Sequence, residues 1–76
     1  MDTLLSDIHT TKKVKVKNVQ GADTTRLLEM GITPGIMLEI VRRAPLGFPI
    51  EIKVRGYLLS LRESEARGIV IEGDDE

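Results

Sequence analysis

The stretch from Arg26 to Ile50, RLLEMGITPGIMLEIVRRAPLGFPI, constrains the fold more than any other part of this chain. Leu27, Leu28 and Met30 cluster at helical spacing, and Gly31 follows where a helix would end. A helix-terminating residue commonly needs a positive φ, which a Cβ penalises, so glycine is favoured there. Thr33-Pro34-Gly35 then reads as a type II turn, with proline fixing φ at the second position and glycine accepting positive φ at the third. A strand pattern begins at once, with Ile36, Leu38 and Ile40 on one face and Met37, Glu39 and Val41 on the other. Each turn position carries a residue suited to its backbone geometry, and no position carries obvious chemistry. The combination points to a small rigid interaction module rather than an enzyme.

The rest of the chain extends this pattern. Leu4, Leu5 and Ile8 predict one short helical turn over residues 3–9. Lys13–Val19 alternates lysine with valine and predicts a half-buried strand with Val14 and Val16 inward. Val19 breaks that parity, which predicts a bulge or strand end near Asn18. Asp23 or Thr24 is expected to cap the helix that runs to Met30. The strand over residues 36–43 leads into Ala44-Pro45-Leu46-Gly47-Phe48-Pro49, a loop stiffened by two prolines, and Ile50, Ile52 and Val54 form the second arm of a hairpin. Tyr57–Leu61 predicts a further strand, and Ser60-Leu61-Arg62-Glu63 fits a capping box opening a helix that carries Ala66 inward and stops at Gly68. Ile69-Val70-Ile71 closes the order as a last strand. Five short strands with two or three short helices in so short a chain favour a mainly β, partly open barrel.

Seventy-six residues are expected to make one domain over 1–76, with an acidic, frayed tail at 73–76. A chain of this length is stable by only about 4–11 kcal/mol at roughly 0.05–0.15 kcal/mol per residue. It contains no cysteine, so its hydrophobic core must hold it without disulfides or thiolate metal sites. No apolar run approaches the roughly 20 residues that span a bilayer, and no signal-peptide pattern opens the chain; a cytoplasmic location is the expectation. A formal net charge of −1 argues against a nucleic-acid partner, as does the shortage of aromatic stacking platforms, which are limited to Phe48 and Tyr57.

Catalytic motifs are missing: there is no phosphate-binding glycine loop, no zinc-protease helix and no paired cysteines. Asp7 and His9 together offer two ligands, whereas structural zinc takes four, so no metal site and no cofactor are expected, and His9 reads as a surface histidine. Arg42, Arg43, Arg55 and Arg62 read either as an anion-binding patch or as a solvated strand face balanced by Glu39 and Glu51, the second being the better account. Leu46 and Phe48 at the loop tip are open to two readings: folded back over the barrel mouth, or a preorganised apolar knob. Under the second, Leu46, Phe48, Arg42 and Arg43 form a partner-binding surface. Gly31, Pro34, Gly35 and Ser60 are structural turn and cap positions.

The ordered segments LLEMGITPG, VRRAPLG, PIEIKVRG and LSLRESEARGI, covering about Leu5 to Glu72, resemble the FeoA family of ferrous iron transport proteins. The resemblance implies an SH3-like barrel that acts as a non-catalytic accessory of iron uptake. It also implies a partner, FeoB, a membrane permease with a cytosolic GTP-binding domain. The same resemblance extends to the SH3-like regulatory domain of iron-dependent repressors, which is the alternative reading. Phe48 stands where the family commonly has an acidic or polar residue.

Overall fold

The computed structural model describes residues 3–72; the acidic tail expected at 73–76 lies outside them. Six antiparallel strands, β1 (Thr3–Leu4), β2 (Lys12–Val19), β3 (Met37–Arg43), β4 (Ile50–Val54), β5 (Tyr57–Leu61) and β6 (Ile69–Ile71), lie in the order β1-β6-β2-β3-β4-β5. Helix α1 (Thr24–Glu29) links β2 to β3, and α2 (Glu63–Arg67) links β5 to β6. β2 belongs to both halves of the sheet: Lys12–Lys15 pair with β3, and Val16–Val19 pair with β6. The change of partner coincides with a register shift between Val16 and Asn18, where the valine parity changes. Val14, Val16 and Val19 are therefore all buried, although their spacing is two and then three.

Alternation delivers the core. Leu38 and Ile40 of β3, Ile50, Ile52 and Val54 of β4, and Ile69 and Ile71 of β6 all face inward and are buried. Leu27 of α1, Ile32 and Ala66 of α2 complete the core from the helical side. Each aliphatic side chain of this kind contributes roughly 1.5–3 kcal/mol of transfer free energy. Gly31 holds φ at +93° and Gly35 at +92°, and the Ile36 N–H donates to the Thr33 carbonyl at 3.1 Å, closing the turn around Pro34. Between β4 and β5, Arg55 and Gly56 both take positive φ, the requirement of a two-residue type I′ hairpin.

Four expectations are corrected. Residues 3–9 do not form a helical turn throughout: β1 pairs with β6 first, and a single 3₁₀ turn at Leu5–Asp7 follows, so the strands number six rather than five. The backbone of Thr3 and Leu4 does more by satisfying the β6 edge than by extending one short turn. Asp23 makes no capping hydrogen bond, and the Thr24 hydroxyl donates to the Gly21 carbonyl at 2.7 Å instead of accepting from the helix. Ser60 lies within β5 opposite Glu51, because Leu61 must sit opposite Ile50 in the core and holds the strand extended. Helix α2 consequently starts two residues later, where the Glu65 carboxylate accepts the Arg62 backbone N–H at 2.9 Å. Lastly, β3 contains an unforeseen bulge between Ile40 and Arg42, with Val41 as the extra residue.

The same Glu65 ties the two helices together. It is 1% exposed, and its other oxygen, Oε2, lies 2.9 Å from Arg26 Nε of α1. Gly68 is a second tight point: its carbonyl accepts the Gln20 N–H at 2.8 Å, and a Cβ there would stand 2.5 Å from the Gln20 carbonyl oxygen. Gly68→Ala must therefore push two backbone segments apart, costing about 1–3 kcal/mol. Gly31→Val meets only ordinary contacts with Arg55 but forces a β-branched residue to positive φ, at a cost also of about 1–3 kcal/mol. Urea denaturation of both variants should give lower midpoints with an unchanged slope; a wild-type midpoint for either would contradict its assigned role.

Candidate protein-binding loop

The bulge at Val41 decides what the two arginines of β3 do. By simple alternation from Leu38 and Ile40, Arg42 would turn inward and Arg43 outward. With Val41 inserted, Arg42 instead pairs with Glu51 on the outer face, and Arg43 pairs with the buried Ile50. Arg43 then lies under the loop of residues 44–49. Its Nη1 donates to the Gly47 carbonyl at 2.9 Å, and its Nη2 donates to the carbonyls of Ser6, at 3.1 Å, and Ile8. Its guanidinium also covers the Phe48 ring, with the carbon 5.2 Å from the ring centroid. One side chain thus joins the segment after β1 to the loop between β3 and β4.

The loop is further closed by its own backbone. Gly47 N–H donates to the Ala44 carbonyl at 2.7 Å, and Ala44 N–H donates to the Pro49 carbonyl at 3.1 Å. The Phe48–Pro49 peptide bond is cis. Phe48 is half-buried and packs against the core, whereas Leu46 at the tip is 97% exposed. The two readings of the loop therefore divide between its two apolar residues: Phe48 folds back over the barrel, and Leu46 stands out from it.

The four residues taken as one partner surface do not share a face. Leu46 is presented to solvent, Phe48 is its base, Arg43 is engaged beneath both, and Arg42 lies on the outer face of the sheet. Nor do the four arginines make one anionic-partner patch. Arg55 reaches the Gly31 carbonyl at 3.4 Å, and Arg62 lies 3.6 Å from Glu65. The outer face instead alternates charge across the strands, with Lys13, Glu39, Lys53 and Leu58 in one row; the first three, with Met37 and Leu38, line a shallow depression. Among the described residues no three acids, histidines or cysteines gather in one place, and Asp7 and His9 are both exposed. Among the described residues no helix is long and apolar enough to cross a membrane.

The FeoA domain family matches residues 3–73, nearly the whole chain. The chain belongs to that family. An Fe(2+) transport protein A/Fe(2+) transporter FeoB fusion protein of Porphyromonas gingivalis is 34% identical over 70 residues, covering 90% of this chain and 8% of the fusion. The FeoA-like protein of Clostridium acetobutylicum superposes with a TM-score of 0.86 at 37% identity, covering 93% of this chain and 85% of the other. The Stenotrophomonas maltophilia FeoA, described as a prokaryotic SH3 domain protein complexed with zinc, gives 0.81 at 29% identity, covering 92% of this chain and 89% of the other. The fold is accordingly SH3-like, and the family ties the chain to ferrous iron transport. A manganese-dependent transcriptional repressor superposes over 93% of this chain and 36% of its own at 17% identity and TM-score 0.81, a likeness of fold alone.

Arg43 was legible in the sequence only as half of a basic pair. Replacing it with alanine leaves three carbonyls without their donor and uncovers Phe48, and should destabilise the chain by about 2–4 kcal/mol. Arg43→Lys should recover only part of that, since an ammonium cannot fork between separate acceptors. Chemical denaturation reads both effects; equal midpoints for wild type and Arg43→Ala would mean that the clamp contributes nothing.

Proposed function

We propose that this chain is a non-catalytic cytoplasmic accessory of ferrous iron uptake. It acts by contact with the cytosolic GTP-binding portion of a FeoB-like membrane transporter. The observation that carries this reading is the fusion, in which a domain 34% identical to this chain shares one polypeptide with the transporter. Covalent linkage turns docking into an intramolecular event at an effective concentration of about millimolar. Docking is also favoured by a contact surface whose ordering cost has already been met by folding. The loop of residues 44–49 supports the reading, because its backbone is closed on itself and Arg43 pins it from below.

Within that surface Leu46 is the anchor and Phe48 its support. Arg42, exposed on the neighbouring face, contributes a rim charge that steers encounter. The alternative, a regulatory domain of a metal-dependent repressor, draws only on likeness of fold. Among the described residues the two α-helices are six and five residues long, too short to lie along a DNA groove as a recognition helix does.

Titration of the purified chain against the soluble portion of a FeoB transporter separates these roles. Leu46→Ala should weaken association by about tenfold or more and leave the thermal melt unchanged. Phe48→Ala should lower both affinity and melting temperature. Arg42→Glu should slow association chiefly at low salt. Wild-type binding by Leu46→Ala would remove the loop as the contact, and failure of the wild-type chain to bind at all would remove the transporter as the partner.

A further inference from the structure

Alternation sends Val14, Val16, Leu38, Ile40, Ile52 and Val54 into the core and leaves the residues between them on the outer face of β2, β3 and β4. Register sets their neighbours. Lys13, Glu39 and Lys53 stand side by side across the three strands, and Lys15 stands beside Met37 in the next row. Lys13, Lys15 and Lys53 are exposed, Met37 is 52% exposed, and Glu39 is half-buried. Together they make an open patch of three cations, one carboxylate and one thioether. Its centre is the shallow depression that Lys13, Met37, Glu39 and Lys53 line.

Two features distinguish this patch from an ordinary solvated sheet face. First, its charges are not spent on one another. Opposite charges directly across a strand pair attract, and Glu39 has a lysine on each side. Yet the side chains of Lys13, Lys15 and Lys53 make no ion pair or hydrogen bond among the described residues. Elsewhere the chain does pair its charges, Arg26 with Glu65 and Arg67 with Glu63. Second, the patch opposes the charge of the chain that carries it. The formal net charge is −1, while the patch holds three cations to one anion. Its local field therefore attracts an anionic group that the chain as a whole does not.

The apolar residue in the patch narrows the class of partner. Met37 is unbranched and polarizable, so it adapts to a side chain laid against it. The carboxylate of Glu39 opposes a continuous anionic surface, such as a nucleic-acid backbone or an anionic bilayer. A peptide meets no such opposition, because it places its carboxylates beside the lysines and an apolar side chain over Met37. We propose that the patch of Lys13, Lys15, Met37 and Lys53 is a docking site for an acidic segment of a partner protein that carries an apolar residue among its carboxylates. The patch lies at the Met37 end of β3, whereas the loop of residues 44–49 follows the Arg43 end. The proposal therefore stands apart from the contact assigned to that loop.

Titration of the ¹⁵N-labelled chain with a short synthetic peptide, aspartate and glutamate around one leucine, tests the proposal. The expected result is a saturable shift of the amide signals around Lys13, Lys15, Met37, Glu39 and Lys53. Affinity should fall about tenfold as salt rises from about 0.05 M to about 0.3 M. Lys13→Gln combined with Lys53→Gln should weaken binding by about tenfold at an unchanged melting temperature. Glu39→Gln should do the opposite and tighten it, a gain that damage to the fold does not imitate. A peptide with serine in place of leucine should bind more weakly. Equal binding of a lysine-for-acid peptide, shifts confined to other parts of the chain, or an affinity unmoved by Glu39→Gln would overturn the proposal. Binding to phosphatidylserine vesicles without binding to the peptide would also overturn it, since the patch would then serve a lipid surface.

Discussion

The Arg43 guanidinium is the constraint on which the rest of the loop side depends. It donates to carbonyls of Ser6, Ile8 and Gly47, bringing together segments 35 or more residues apart in the chain. A guanidinium drawn off the surface needs acceptors for its donors; the two Nη groups find theirs on two pieces of irregular backbone, while the buried Nε has no partner among the described residues. The segment after β1 and the loop before β4 consequently hold each other through one side chain. The Phe48 ring packs against the same cation, its centroid 5.2 Å from the guanidinium carbon. The bulge at Val41 makes this possible, because without it the side chain would point into solvent.

What the sequence disclosed and what it concealed divide along one line. Gly31 and Gly35 were readable because their demand is local: a positive φ excludes most side chains whatever the surroundings. The register shift in β2 was readable because three valines change parity around Asn18. The shift in β3 was not, because Val41 is apolar enough for either face and the adjacent arginines look alike. Ser60 misled for a related reason. A serine three residues before a glutamate fits a helix start, yet Leu61 was needed opposite Ile50, and core pairing outweighs a cap of about 1 kcal/mol. Gly68 shows the limit most clearly, since its close approach to Gln20 exists only after β2 and α2 have packed.

The candidate site follows the same division. Proline, glycine and apolar residues at positions 44–49 announced a stiff apolar loop, but Leu46 and Phe48 could not be told apart by composition. Packing separates them, one exposed and one held against the Arg43 guanidinium. An FeoA-family chain with this design presents shape rather than reactive groups.

The central claim is that Arg43 holds the loop rigid before any partner arrives. Backbone ¹⁵N relaxation of the free chain tests this most directly. The account predicts order parameters of about 0.85 at Leu46 and Gly47, matching the strands, with a fall at both positions in Arg43→Ala. Values below about 0.6 at Leu46 and Gly47 in the unaltered chain would contradict it.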